Sequence, residues 1–186
     1  MRTARSRACG IIRCVWPLAL AFFDIALHRR GPEGLPPSKF LFGLLLALYL
    51  IVSLLSLWIL GVLGSGDVTL LVLDCVFFLA YVFVTLRLFR RERRFGQTAS
   101  ALLGTDVLLS IIGLPLALWS RSIGVPPDPS AVPMLLRLLI VLWWVDVAGF
   151  VLSRAIARPY IVGVLFVILY VMASLNIRDL LAPSTG

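Results

Sequence analysis

Three carboxylates stand inside long apolar runs of this chain. They are Asp74 in "LLVLDCVFFLAYVF", Asp106 in "GTDVLLSIIG" and Asp146 in "LWWVDVAG". A carboxylate at mid-bilayer costs about 3 kcal/mol or more unless it is paired, hydrated or protonated. Residues of this kind do one of two things. They carry protons or cations along a pathway, or they lock helices together through salt bridges and hydrogen bonds. A pathway needs water and several relays, and the apolar runs hold no His, Glu or Lys. The structural role is therefore expected first, with transport through Asp74, Asp106 and Asp146 as the alternative. The other polar residues to watch are Arg137, Tyr81 and Ser110.

Spacing sorts the partners. Asp74 comes six residues after Val68, about 9 Å along a helix that starts there. Arg137 is a few residues into the fourth run, at the same face of the membrane, and can pair with it. Arg137 and Asp146 are nine residues apart, about 900° of helical rotation. They point to opposite sides of one helix and cannot satisfy each other. Asp106 comes eight residues after Thr98 and Asp146 six before Leu152. At such similar depth they either share a proton, which raises one pKa, or face different partners.

Catalysis finds little footing. No GxSxG, HExxH, phosphate-binding loop or dinucleotide turn is present. Ser100 and Thr105 lie near Asp106 without a base, and "GTDVL" and "WVDVA" are not intramembrane-protease motifs. Cys9, Cys14 and Cys75 form no CxxC pair, and His28 is the one histidine. No metal site, cofactor or structural disulfide is expected, and the reading is non-enzymatic.

The elements that must position these residues are membrane spans. The chain has 186 residues, of which 61% are hydrophobic, with a mean hydropathy of +1.04. Soluble domains sit near 45–50% apolar. Five runs are long enough to cross about 30 Å of hydrocarbon: Phe40–Leu63, Val68–Phe89, Thr98–Trp119, Met134–Leu152 and Tyr160–Leu175, the last extending towards Leu181. Ser38 can cap the first run and Asp67 the second. Pro133 and Pro159 suit first-turn positions. Pro115 sits inside the third run, where a kink or early end is expected. No internal repeat is visible. The fold class is all-α, a five-span membrane bundle, with residues 1–39 before it, the bundle over 40–182 and a short tail at 183–186.

Residues 11–27 could be a signal peptide, a sixth span or a helix in the membrane interface. Arg13, Pro17, Asp24 and His28 follow steps of 4, 7 and 4, one narrow polar stripe on an apolar helix. That suits an amphipathic interfacial helix. Charge supports the choice. The chain has 17 Lys and Arg. With five spans and a cytoplasmic N-terminus, seven of them fall before the first span, five in the loop after the second and two in the loop after the fourth. Arg121 and Arg178 fall outside. The positive-inside rule then places the C-terminus outside, periplasmic in a bacterial inner membrane. A sixth span would put the arginines up to Arg13 on the wrong side.

The net charge of +8 has its explanation in these loops, not in nucleic-acid binding. The basic loop Arg87, Arg90, Arg91, Arg93 and Arg94 is expected to meet anionic lipid headgroups, each contact worth about 1 kcal/mol. A docked cytosolic partner is the alternative use of the same loop. Small and polar residues also align along each span: Tyr49, Ser53 and Ser56; Asp74, Tyr81 and Thr85; Asp106, Ser110 and Gly113; Asp146, Gly149 and Ser153; Gly163, Tyr170 and Ser174. Such stripes pack helices together in lipid. "SALLG", Ser100 to Gly104, adds a small-xxx-small pair on another face of the third span.

The stretches "GLPPSKFLFGLLLALYL" and "RFGQTASALLGTDVLLSIIGLPLALW", with the amphipathic start, five spans and outer C-terminus, resemble bacterial Yip1-domain-like membrane proteins over residues 36–182. The resemblance implies a five-span fold of undefined molecular function, and the reading that goes with it is a non-enzymatic protein that organises membranes or binds a partner. Asp106 departs from it, since a plain residue is expected there. No GTPase-contact motif is present, so no functional residue carries over. A protein partner or a second copy of the chain is the expected company.

Overall fold

The computed structural model of this protein describes residues 18, 20–36, 38–61, 64–122 and 131–181. Among them the fold is all-α, and five helices are long and apolar enough to cross a membrane. We number these α1 (Lys39–Leu60), α2 (Ser65–Leu88), α3 (Phe95–Ser122), α4 (Ala131–Ile156) and α5 (Tyr160–Leu181). Short 3₁₀ turns at Pro32–Gly34 and Glu92–Arg94 precede α1 and α3. Residues 20–26 form a further helical segment.

Helix ends follow local chemistry. The Leu41 amide donates to Ser38 Oγ at 3.3 Å, the expected cap of α1. α1 stops at Gly61, whose φ of 72° is the left-handed geometry that glycine adopts without penalty. α2 begins earlier than Asp67. Gly64 occupies the cap position, and Asp67 reaches back from the first turn to accept from the Gly64 amide at 3.1 Å. Asp67 therefore serves as the returning half of a capping arrangement, and not as the cap itself. α3 runs past Pro115 to Ser122, so the expected early end does not occur. Proline there removes one backbone bond of the ladder and leaves the helix continuous. α4 extends four residues beyond Leu152, to Ile156.

The helices pack as two close pairs, α1 with α3 and α4 with α5. α3 joins the pairs by packing on α4, and α2 touches α1, α3 and α5 more lightly. Small residues make the close approaches possible. A Cβ on Gly163 would meet the Gly149 carbonyl, with the Ser153 amide at 2.7 Å. The stripes expected on the last two spans thus face one another. α2 is held by rings. Tyr170 of α5 lies 5.4 Å from both Phe78 and Tyr81, 5.7 Å from Phe77 and 6.3 Å from Trp144. The Tyr81 hydroxyl donates to the Phe166 carbonyl at 2.7 Å.

Residues 20–26 dock into the bundle. Phe22, Ile25 and Ala26 are buried, whereas Leu20 and Phe23 face outward. The Phe22 ring fills the space where a side chain on Gly104 would go. Gly104 lies nine residues into α3 (104 minus 95), about 13–14 Å along its axis. The Trp143 indole of α4 donates to the Ala26 carbonyl at 3.2 Å. The small-xxx-small face of "SALLG" is thus occupied by the segment before α1. Of its polar stripe, Asp24 and His28 are described, while Arg13 and Pro17 lie outside the described residues.

Candidate functional site

The intramembrane aspartates fall into two separate groups. In the first, Asp106 of α3 accepts a hydrogen bond from the Trp144 indole of α4. Asp74 of α2 lies within electrostatic reach of Asp106 and of Tyr49 of α1, and Tyr49 hydrogen-bonds Ser53 one turn along. Four helices therefore contribute to one polar region, and Asp74 and Asp106 are each half-buried. Tyr81 and Thr85 continue the α2 stripe with a hydrogen bond between their side chains. Ser110 stands half-buried one turn beyond Asp106.

The second group surrounds Asp146. The Tyr160 hydroxyl, at the start of α5, donates to Asp146 Oδ1. His28 Nε2 stands 3.5 Å from Asp146 Oδ2. The His28 ring sits edge-on to Phe150 at 4.4 Å and to Tyr160 at 6.5 Å. His28 reaches this place because it closes the 20–26 helix in the left-handed conformation, with φ at 59°. The Arg29 amide then returns to the Asp24 carbonyl at 2.8 Å and the His28 amide to Ile25 at 3.0 Å. A histidine in this geometry costs about 1–2 kcal/mol relative to glycine. Its imidazole contacts with Asp146 and Phe150 are what the turn gains.

This arrangement decides between the two expectations for Asp106 and Asp146. They face different partners, Trp144 for one and Tyr160 with His28 for the other. The expected pairing of Asp74 with Arg137 is absent. Arg137 is exposed on α4, and among the described residues an arginine–carboxylate pair joins Arg30 to Asp24 at 3.8 Å, while Asp146 contacts His28. The physical reason is rotation. Shared depth puts two residues at one level, but each helix also has to turn the right face inward, and α4 turns Trp144 and Val147 inward instead.

No known protein family, curated protein or solved structure matches the chain.

Most of the described basic residues gather at one end of the bundle. Arg87 closes α2, Arg90, Arg91 and Arg93 are exposed on the turn, and Arg94 is half-buried against the start of α3. Arg154 and Arg158 flank the turn between α4 and α5. Glu33, Arg94, Arg154 and Arg158 line one open cleft of about 680 Å³ at this end. Sequence reasoning passed over His28, Trp144, Tyr160, Arg154 and Arg158 as site residues. The stripe through Asp24 and His28 was the available signal for His28, and the pair Arg154 and Arg158 was visible as a charged loop.

Proposed function

We propose that this multi-pass membrane protein is non-enzymatic and acts by organising membrane or holding a partner in the bilayer. The observation that carries the reading is the use of the polar interior. Trp144 binds Asp106, and Tyr160 and His28 bind Asp146. Groups spent on cross-helix contacts build a fixed scaffold, as small residues and hydrogen bonds do in lipid. The Yip1-like layout supports the same role. The basic end is read as cytoplasmic and the end of α5 as periplasmic, in a bacterial inner membrane, because arginine-rich loops stay on the cytoplasmic side.

A second reading draws on one observation. Asp74 and Asp106 come from different helices and interact electrostatically beside Tyr49, as a proton-coupled transporter would require. Reconstitution into liposomes holding a pH-sensitive dye separates the two. The scaffold leaves an imposed proton gradient intact, in the wild type and in Asp106→Asn alike. Proton flux that Asp106→Asn abolishes would establish the transporter instead. The positive arm is a photo-crosslinking residue at Arg93, expected to give discrete adducts in membranes.

A further inference from the structure

We infer that the cleft at the basic end binds a phosphate group, and that the headgroup of an anionic phospholipid is its source. Three segments far apart in sequence build the cleft: the turn before α1 gives Glu33, the turn before α3 gives Arg94, and the end of α4, the turn after it and the start of α5 give Ser153, Arg154, Arg158 and Tyr160. Three guanidinium groups against one carboxylate leave a net charge of +2 facing a shared space of about 680 Å³. Like charges around one space repel, and an anion placed there relieves the repulsion.

The turn is built to converge the arginines. Ala157 takes a left-handed φ of 53°, and the Arg158 amide donates back to the Ser153 carbonyl at 3.0 Å. That folding sets Arg154 and Arg158 on the two sides of the turn. Their guanidinium groups are held by rings: Arg154 lies 5.5 Å over Phe150 and Arg158 lies 5.6 Å over Phe89. Ring stacking fixes a guanidinium plane while leaving its N–H edge for an acceptor. None of the three arginines joins an ion pair among the described residues. A phosphate suits this fork geometry, since arginine binds it with paired hydrogen bonds.

The surroundings favour a lipid as the source. Ile161 follows Tyr160 and is 75% exposed, and Leu165 is exposed one turn further along α5. Acyl chains can follow that apolar face while the phosphate stays in the cleft. The inference rests on the membrane placement of the five helices, and not on the partner-binding proposal.

The test uses the full chain in nanodiscs of mixed phosphatidylglycerol and phosphatidylcholine, released into native mass spectrometry. Wild type should retain phosphatidylglycerol selectively. Arg154→Ala with Arg158→Ala should cut retention about tenfold or more, since each charged hydrogen bond is worth a factor of this order. Glu33→Gln should increase retention, a gain that damaged folding does not produce. Lys39→Ala, exposed at the same end but outside both the cleft and the arginine loop, should change nothing. A parallel arm adds inorganic phosphate or glycerol phosphate to protein in phosphatidylcholine alone. Binding in that arm with no preference for phosphatidylglycerol keeps the phosphate site and assigns it to a soluble ligand. Equal retention of both lipids with no phosphate binding, or a Glu33→Gln variant no different from wild type, overturns the inference.

Discussion

Trp144 and Asp106 meet across α3 and α4, and the energy of that contact is measurable. Interhelical hydrogen bonds in membranes average about 0.6 kcal/mol, rising to about 1.7. A double-mutant cycle of Trp144→Phe and Asp106→Leu in reversible unfolding should give a coupling in that range. The same cycle applied to Asp74→Asn and Arg137→Leu should be additive within about 0.5 kcal/mol, as distant sites are, because no ion pair joins them. Coupling above 1 kcal/mol there would place the two side chains in contact after all. Ala157 gives a third measurement. It holds φ at 53° without being glycine, so Ala157→Gly should stabilise the fold by about 1 kcal/mol, read as a higher midpoint of unfolding.

At the scale of elements, the α4–α5 pair depends on two glycines. A side chain on Gly163 meets backbone of Gly149 and Ser153, which cannot swing away. Gly163→Val should therefore separate the helices and sharply reduce folded yield, as overpacking at about 1–3 kcal/mol or more predicts. Gly104→Ala meets the Phe22 ring, a side chain that can move or be removed. Adding Phe22→Ala removes that clash, so the double variant should lose less than the sum of the two single changes, measured as monodisperse yield in detergent. These two glycines also show what a single sequence can convey. Gly149, Ser153 and Gly163 were legible as stripes, because helical periodicity reveals which face is small. The five spans were legible because apolar length alone defines them. What faces each stripe was not, since periodicity carries no information about a neighbouring helix. Hence depth alone matches Asp74 with Arg137, while nothing in "LWWVD" marks Trp144 as the residue whose indole donates to Asp106.

On the scale of the whole molecule, most of the positive charge sits at one end. The turns that carry Glu33, Arg94, Arg154 and Arg158 meet at one end of the bundle, as five alternating spans require. Cysteines placed at Arg93 and at Ala157 should label with a membrane-impermeant maleimide from the same side, and one at Gly64 from the other. A reporter fused after Gly186 should behave as periplasmic. Labelling of all three sites from one side would refute the five-span arrangement. The residues before α1 belong to this architecture as well, since Phe22, Ile25 and Ala26 lie in the shared core.

That docking has a consequence in time. Residues 20–26 leave the ribosome long before Gly104 and Trp143, the groups that receive them. The hairpin of α4 and α5, joined by three residues and pressed together at Gly149 and Gly163, is by contrast assembled from neighbours in the chain. The earliest part of this region to be synthesised thus docks on groups that are made much later. Phe22 has no seat until α3 supplies Gly104, and the Ala26 carbonyl and His28 have none until α4 supplies Trp143 and Asp146.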